Sequence, residues 1–475
     1  MNKTAITTAI LILSLAVSAS AAGLSGKRPN IIVILTDDQG YGDLGRNGNT
    51  VLKTPNLDKL YDEGIHFEDF HVSPSCSPTR SSLMSGKHEF KNGVTHTILE
   101  RERMSLKSTI IPQVLKSAGY TTGIFGKWHL GDEDAYQPDK RGFDEVFIHG
   151  GGGIGQSYPG TCGDAPGNTY FNPAIKHNGT FEKTEGYCTD IFFNQALKWI
   201  GAVSKGKKPF FVYLPTNAPH GPLQCPEEYK KRYGGNAFYG MIANIDDNVG
   251  KLMANLKELG IDDQTLVVFL NDNGGTGGGF NAGMRGQKCT AFNGGARAMS
   301  LWRWPATIKP AACDKLTAHL DFFPTFAELA GAKVPEEVAQ KLDGFSLVPL
   351  LENPQAGWHD ERMLFTHVGR WNTGQEPQKY GACSVRWKQY LQVREKGRWC
   401  IYDLKADPGE KSDLAGQQQE VVAKLDKAYD AWWADVLPCL ENEQAHKTAP
   451  KVNPFKEQFQ KQFGNNVKEN KKQGK

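Results

Sequence analysis

Short, unbroken apolar runs recur along the chain, and each stops on charged or polar residues. IIVIL (31–35) gives way to Thr36, Asp37 and Asp38, and the β-prone stretch GYTTGIF gives way to Lys127 and His129. FFVYL (210–214) leads through TNAP to His220, and LVVFL (266–270) leads to Asp272 and Asn273. Continuous rather than alternating apolar runs suit strands covered on both faces. Between them lie segments with helical spacing. Thr54-Pro55 opens one that closes at Gly64, residues 110–118 form another ahead of Gly119, and further helices are predicted over 187–201 and 239–259. The alternation predicts an α/β fold, a large, mainly parallel sheet flanked by helices on both faces. In such sheets ligands bind beyond the carboxyl ends of the strands, which is where all four polar sets fall.

From about residue 360 the texture changes. RMLFTHVG, ACSVRWKQYLQVRE and GRWCIYDL alternate apolar and polar residues, and DPGEKSDLAG is a turn leading into a helix at about 417–436. This predicts a smaller C-terminal antiparallel sheet with one helix, packed on the main domain. Trp358, Trp371, Tyr380 and Trp387 lie here or near its start; most are expected in the core, with one or two at the rim of a site. Phe455, Phe459 and Phe463, bounded by Asn453-Pro454 and Gly464, predict a short amphipathic helix docked on the body; a membrane-surface or partner helix is the alternative. The last dozen residues are expected to be disordered.

Residues 1–22 have a basic start, an apolar stretch and small residues near Ala19 and Ala21, the pattern of a secretory signal peptide. No later segment is apolar enough to span a bilayer. The expected organisation is a signal peptide over 1–22, a main α/β domain over 23–360, an antiparallel subdomain over 361–445 and a lysine-rich tail over 446–475. The formal charge of +3 includes Lys3 of the leader and eight lysines against two glutamates in the tail, so the body between carries four net negative charges. No nucleic-acid face is implied. The nine cysteines form no CxxC pair, which argues against a thiolate zinc site. Eight could pair in an oxidising compartment, leaving one over.

Cys76 is the candidate for the odd thiol. In SPSCSPTRSSLMSGKH (73–88), Ser77 reads as an N-cap, Pro78 as the first helical residue and Gly86 as the stop, which sets Cys76 at the positive end of a short helix with Arg80 one turn in. Each strand-end set also has a plainer reading. Asp-Asp after a strand serves as a turn or cap, a single histidine as a packed or surface residue, and Asn-Asp-Asn-Gly-Gly as a turn. The glycines at 150–153 and 274–279 lack a phosphate-loop GK[ST] ending and read as flexible loops. The joint placement of the four sets is what points to a site.

CSPTR fits the signature C-x-P-x-R at Cys76, Pro78 and Arg80. Together with DDQGYGDLG (37–45), GKWHLG (126–131), APHGP around His220, NDNGG (271–275) and MRGQKCTAFNGGAR (284–297), it resembles, in order, the motifs of type I, formylglycine-dependent sulfatases of the alkaline phosphatase-like superfamily. IYDLKADPGEKSDLA (401–415) is similar to that family's C-terminal portion. The resemblance implies that a formylglycine-generating maturation enzyme oxidises Cys76 to formylglycine (3-oxoalanine). One hydroxyl of the hydrated aldehyde attacks the sulfur of a sulfate ester, and deprotonation of the other ejects sulfate. Asp37, Asp38, Asp272 and Asn273 offer only oxygen donors, which suits one Ca²⁺ ion, with residue 76 completing the shell. Arg80 would hold the hydrate, and Lys127 and Lys288 the sulfate oxygens. By analogy, His129 takes the proton that triggers sulfate release and His220 protonates the leaving alcohol. Asn293-Gly294 stands where relatives often have Glu-Gly, and Cys289 beside Lys288 would stiffen that loop if bridged.

The expected function is an exported, periplasmic or secreted, hydrolase of sulfated carbohydrates. The same site also suits a phosphodiesterase or phosphonate monoester hydrolase, and a binding module for sulfated glycans is the non-catalytic alternative. A zinc phosphatase is disfavoured, because its metal set needs histidines that these positions lack.

Overall fold

Asn30–Thr36 lies inside a ten-stranded sheet, and its side chains alternate between two apolar cores. Ile31, Val33 and Leu35 enter one, Ile32 and Ile34 the other. Both faces are dry, which is why the run shows no polar alternation. This computed structural model describes residues 23–157 and 160–464; the leader predicted over 1–22 and the end of the tail lie outside them.

Asn30–Thr36 pairs in parallel with Thr265–Asn271 on one side and Phe210–Pro215 on the other. Phe210–Pro215 pairs in parallel with Thr121–Lys127, which pairs in parallel with Glu145–His149. The flanks turn antiparallel at Ser300–Arg303 and Ala174–His177. The four strands that end in polar residues are thus consecutive neighbours in the sheet, and their carboxyl ends open on one edge. Helices Pro55–Glu63, Cys188–Val203 and Ala237–Glu258 cover one face, and Ile111–Ser117 and Phe322–Ala330 the other. The Ala237 helix starts two residues earlier than the spacing predicts, because the Asn236 side chain caps it by accepting from the Tyr239 N–H.

The C-terminal sheet runs Met363–His367, Cys383–Trp387, Tyr390–Glu395 and Arg398–Asp403, antiparallel throughout. The helix Gln419–Val436 seats Leu425, Tyr429, Trp432 and Trp433 against it. Trp371 and Trp387 are buried in this core, Trp358 is half-buried, and Tyr380 is exposed with its hydroxyl 3.3 Å from Asp430 Oδ1.

All nine cysteines are free thiols, so the eight-thiol pairing open to the sequence is not formed. Topology explains part of this. Cys383 and Cys400 stand on strands separated by Tyr390–Glu395, about 9–10 Å apart and beyond the reach of a bridge.

The tail helix, Pro454–Phe463, docks on the body. Phe455 and Phe459 meet the Phe181 ring edge-on at 5.6 and 5.4 Å, and Asn453 Nδ2 donates to Asp132 Oδ2 at 2.8 Å and to Thr161 O at 2.7 Å. Phe455 is almost fully buried. Phe455→Ala is expected to lower the unfolding free energy by about 3–5 kcal/mol, read from chemical denaturation; an unchanged midpoint would mean that the tail is not part of the folded core.

Candidate active site

The helix Cys76–Ser85 is buried at every residue, and its first turn faces the strand ends. Its start corrects the sequence reading. Ser75, not Ser77, precedes the helix, and the Thr79 N–H donates to Ser75 O at 3.2 Å. Ser77 does not cap, because its Oγ donates to His129 O at 2.7 Å. Pro78 falls inside the first turn, where its missing N–H costs nothing. Gly86 ends the helix in the left-handed conformation, as expected.

Below Cys76 lie three buried carboxylates and three cations. Arg80, fully buried, donates from Nη2 to Asp272 Oδ2 at 3.0 Å and from Nη1 to Lys127 O at 3.1 Å, with Asp37 Oδ2 at 3.7 Å from Nη2. Lys127 Nζ is paired with Asp37 Oδ2, and Lys288 Nζ stands 2.5 Å from Asp38 Oδ1. Register brings Asp37 and Asp272 together, since Thr36 pairs with Asn271. The Asp38 N–H then donates to Asp272 Oδ1 at 3.1 Å, and Asn273 Nδ2 to Asp38 Oδ1 at 3.0 Å. Burial, which raises a carboxyl, is outweighed at Asp37 by Lys127, His220 and Arg80, and its pKa is held far below the usual range. At Asp38 Lys288 and His220 also outweigh burial and lower the carboxyl. At Asp272 burial and the neighbouring Asp37 win over Arg80, and its pKa is pushed well up. Burial would raise the Cys76 thiol, but Lys127 and Lys288 lower it on balance.

Two histidines complete the site. His129 Nε2 lies 2.9 Å from Thr97 O, which fixes the proton there and turns the Nδ1 lone pair toward Cys76 Sγ, 3.5 Å away. Burial and Lys127 push His129 well below the ordinary histidine pKa, which favours the neutral ring with its Nδ1 lone pair free. His220 Nδ1 lies 2.8 Å from Gly221 O, leaving Nε2 3.8 Å from Asp38 Oδ2.

Cys76, His129, His220 and Lys288 line one cavity of about 400 Å³. Asp37, Asp38, Asp272, Asn273, Lys127 and Arg80 lie behind them, so all ten residues predicted for the site converge. The glycines at 150–153 are not the flexible loop expected of them. They are buried as a wall, and a Cβ on Gly152 or Gly153 would stand 2.9 Å from His129 Cε1 or 3.2 Å from His220 Cε1. Cys289 is unbridged, and its N–H donates to Pro74 O at 2.8 Å. The Asn293 side chain donates to Met284 Sδ at 3.3 Å, while Glu410 Oε1 accepts from its backbone N–H at 3.1 Å.

A family model described as Sulfatase matches residues 29–332, and one described as N-sulphoglucosamine sulphohydrolase, C-terminal, matches residues 287–432. The chain belongs to the sulfatase family. It is a type I sulfatase of the alkaline phosphatase-like superfamily, and thus a sulfuric ester hydrolase. Arylsulfatase A of Homo sapiens is 33% identical over 363 residues, covering 70% of this sulfatase and 70% of that protein. N-acetylgalactosamine-6-sulfatase of Mus musculus is 33% identical, covering 72% and 69%. Among solved structures, Ps i-CgsB in complex with k-i-k-neocarrahexaose superposes with a TM-score of 0.77 at 30% identity, covering 88% of this chain and 94% of that one.

Sequence reasoning did not find the rest of the sulfatase cavity lining. Thr97, Gln156, Thr276, Gln287 and Arg370 all face it, whereas none of the aromatic residues expected at its rim does. Trp371 is turned into the core, and its neighbour Arg370 takes the rim. Gln287 lies within the motif at 284–297, which singled out only Lys288; no local signal marks the others, which come from loops far apart in the chain.

Proposed function

We propose that this sulfatase is exported and removes sulfate from sulfated carbohydrates, using a formylglycine made from Cys76 and a Ca²⁺ ion held by Asp37, Asp38, Asp272, Asn273 and residue 76. The observation that carries the reading is the placement of Cys76 at a buried helix N-terminus, against His129 Nδ1 and above the carboxylate cluster. The donor chemistry fits a hard cation. Ligand atoms of Asp37, Cys76 and Asp272 lie within 4.8 Å of one another, and two buried oxygens, Asp37 Oδ1 and Asn273 Oδ1, have no hydrogen-bond partner among the described residues. Bound there, the ion would acidify a hydroxyl on residue 76 and offset the like charges of the three carboxylates. Formylglycine, once hydrated, supplies two hydroxyls on one carbon, one to attack sulfur and one whose deprotonation expels sulfate, an exit that a serine lacks.

The chain's own groups divide the remaining work. Arg80 and the helix N-terminus orient residue 76 and stabilise negative charge on it. Lys127 and Lys288 neutralise the sulfate oxygens as charge develops. His129 Nδ1, its tautomer set by Thr97 O, accepts the proton from residue 76, and His220 Nε2 delivers one to the departing alcohol. Carbohydrate as the substrate class is supported by two relatives, an N-acetylgalactosamine-6-sulfatase and a protein solved with a neocarrahexaose. Export is supported by the leader-like residues 1–22, and no helix of the described residues is long and apolar enough to cross a membrane. The domain limits at 360 and 445 stand as part of the proposal.

The test compares rates on an aryl sulfate, defined sulfated saccharides and an aryl phosphodiester, using protein co-expressed with a formylglycine-generating enzyme. Sulfate esters are expected to turn over, chelation to suppress the rate and added Ca²⁺ to restore it. Fast phosphodiester cleavage with silent sulfates would instead establish the phosphodiesterase or phosphonate hydrolase. Saccharide binding without turnover would establish the binding module.

A further inference from the structure

The cleft mouth carries a cation that no carboxylate answers. Arg370 is exposed and lines the same cavity as Cys76, His220 and Lys288; its Nη2 donates to Thr97 Oγ1 at 3.1 Å, and among the described residues it has no ion pair. On the floor, by contrast, Lys127 is paired with Asp37, Lys288 with Asp38 and Arg80 with Asp272.

The turn that presents Arg370 is held from several sides. Buried Arg101 donates from Nη1 to Trp371 O at 2.9 Å and from Nη2 to Gly369 O, so one guanidinium grips the carbonyls on both sides of Arg370. Glu443 holds Arg101 at 3.1 Å and accepts from Trp371 Nε1 at 2.6 Å. Gly369 takes a φ of +70°, its N–H donates to His367 Nδ1 at 2.9 Å, and a Cβ there would stand 2.1 Å from Thr95 O. A solvated surface arginine needs no such mount. A guanidinium that must meet a ligand at a set distance does.

Arg370 is exposed at the rim and donates to Thr97 Oγ1, whereas Lys127, Arg80, Asp37 and Asp272 are fully buried beneath Cys76. Rim and floor thus face different parts of a saccharide held in the cavity. The other rim groups, Thr97, Gln156, Thr276 and Gln287, are neutral and suit sugar hydroxyls. Building on the sulfatase reading above, we propose that Arg370 is a specificity-determining residue that binds a second anionic group, a sulfate ester or a carboxylate, carried by the saccharide beside the sulfate being removed. The preferred substrate is then doubly charged, and the planar fork of Arg370 reads the second charge.

The test uses the parent, Arg370→Ala and Arg370→Lys on an aryl sulfate, N-acetylgalactosamine 6-sulfate, its 4,6-disulfate, and the 6-sulfate joined to a hexuronic acid. Arg370→Ala is expected to lower kcat/KM about 10- to 100-fold on a doubly anionic substrate, mainly through KM, and by less than about 2-fold on the aryl sulfate. Lysine should restore only part of the loss. The disulfate and uronate arms show which anion is read. Equal losses on all substrates, or none, would overturn the proposal. A binding arm separates it from the reaction itself: calorimetric titration of Cys76→Ala chains with the disulfate should weaken by the same factor when Arg370 is also removed. Equal affinity of the Arg370-bearing chain for the mono- and disulfated sugars would overturn the proposal, whereas a parent inert on every sulfate ester would sink the sulfatase reading.

Discussion

Cys76→Ala is expected to lower sulfate-ester turnover by about 10⁴-fold or more, with the circular dichroism spectrum unchanged. The side chain is small and buried and touches His129 Nδ1 at 3.5 Å, so its loss removes the reacting group without opening a large cavity. Cys76→Ser is the sharper variant. A serine oxygen in the same place can attack sulfur once but leaves a sulfo-ester with no internal exit, so rapid mixing should show release of about one alcohol per chain, then arrest. The accompanying check is the mass of the peptide that contains residue 76, which should have lost its sulfur in active enzyme. Full activity in Cys76→Ala, or active enzyme whose peptide always keeps the thiol, would remove the basis of the mechanism.

The second large effect concerns Arg80. It is fully buried and supplies hydrogen bonds to Asp272 and to the Lys127 carbonyl, with Asp37 close by. Arg80→Ala removes the partner of buried Asp272 and one of the two cations beside Asp37, and breaking a buried pair in this way costs about 3–5 kcal/mol. We expect a destabilisation of that size in denaturant titrations and turnover reduced to background. Arg80→Lys should recover part of the stability, because one ammonium can reach a carboxylate but cannot also hold the Lys127 carbonyl with the arginine's geometry. Wild-type stability in Arg80→Ala would show that the cluster is balanced by its lysines alone.

How much of this was legible beforehand differs by residue. IIVIL followed by Asp-Asp, and LVVFL followed by Asn-Asp-Asn, announce buried parallel strands with polar residues at the ligand-binding edge. That inference needs only burial on both faces and the rule for strand ends. The helix over 76–85 was visible from Gly86, but its first residue was misplaced. Ser77 has the composition of a cap, and only the fold shows that the His129 carbonyl claims its hydroxyl. The glycines at 150–153 misled for the same reason. Glycine reads locally as freedom, yet here it is what allows a backbone wall to approach two histidine rings.

The sequence by itself determined the alternation of strands and helices, the polar residue at each strand end and the thiol at a helix start, because all of these follow from interactions between near neighbours along the chain. Tertiary structure alone decided the rest. Strands 265–271, 30–36, 210–215 and 121–127 became neighbours in that order, the His129 tautomer was set by Thr97 O, and the cysteines stayed unbridged. It also brought Arg370 from the C-terminal sheet's edge into a cleft built mostly from earlier residues, clamped by Arg101. Most such contacts join residues tens to hundreds of positions apart, and their geometry depends on how whole layers pack, which no local pattern of apolar and polar residues encodes.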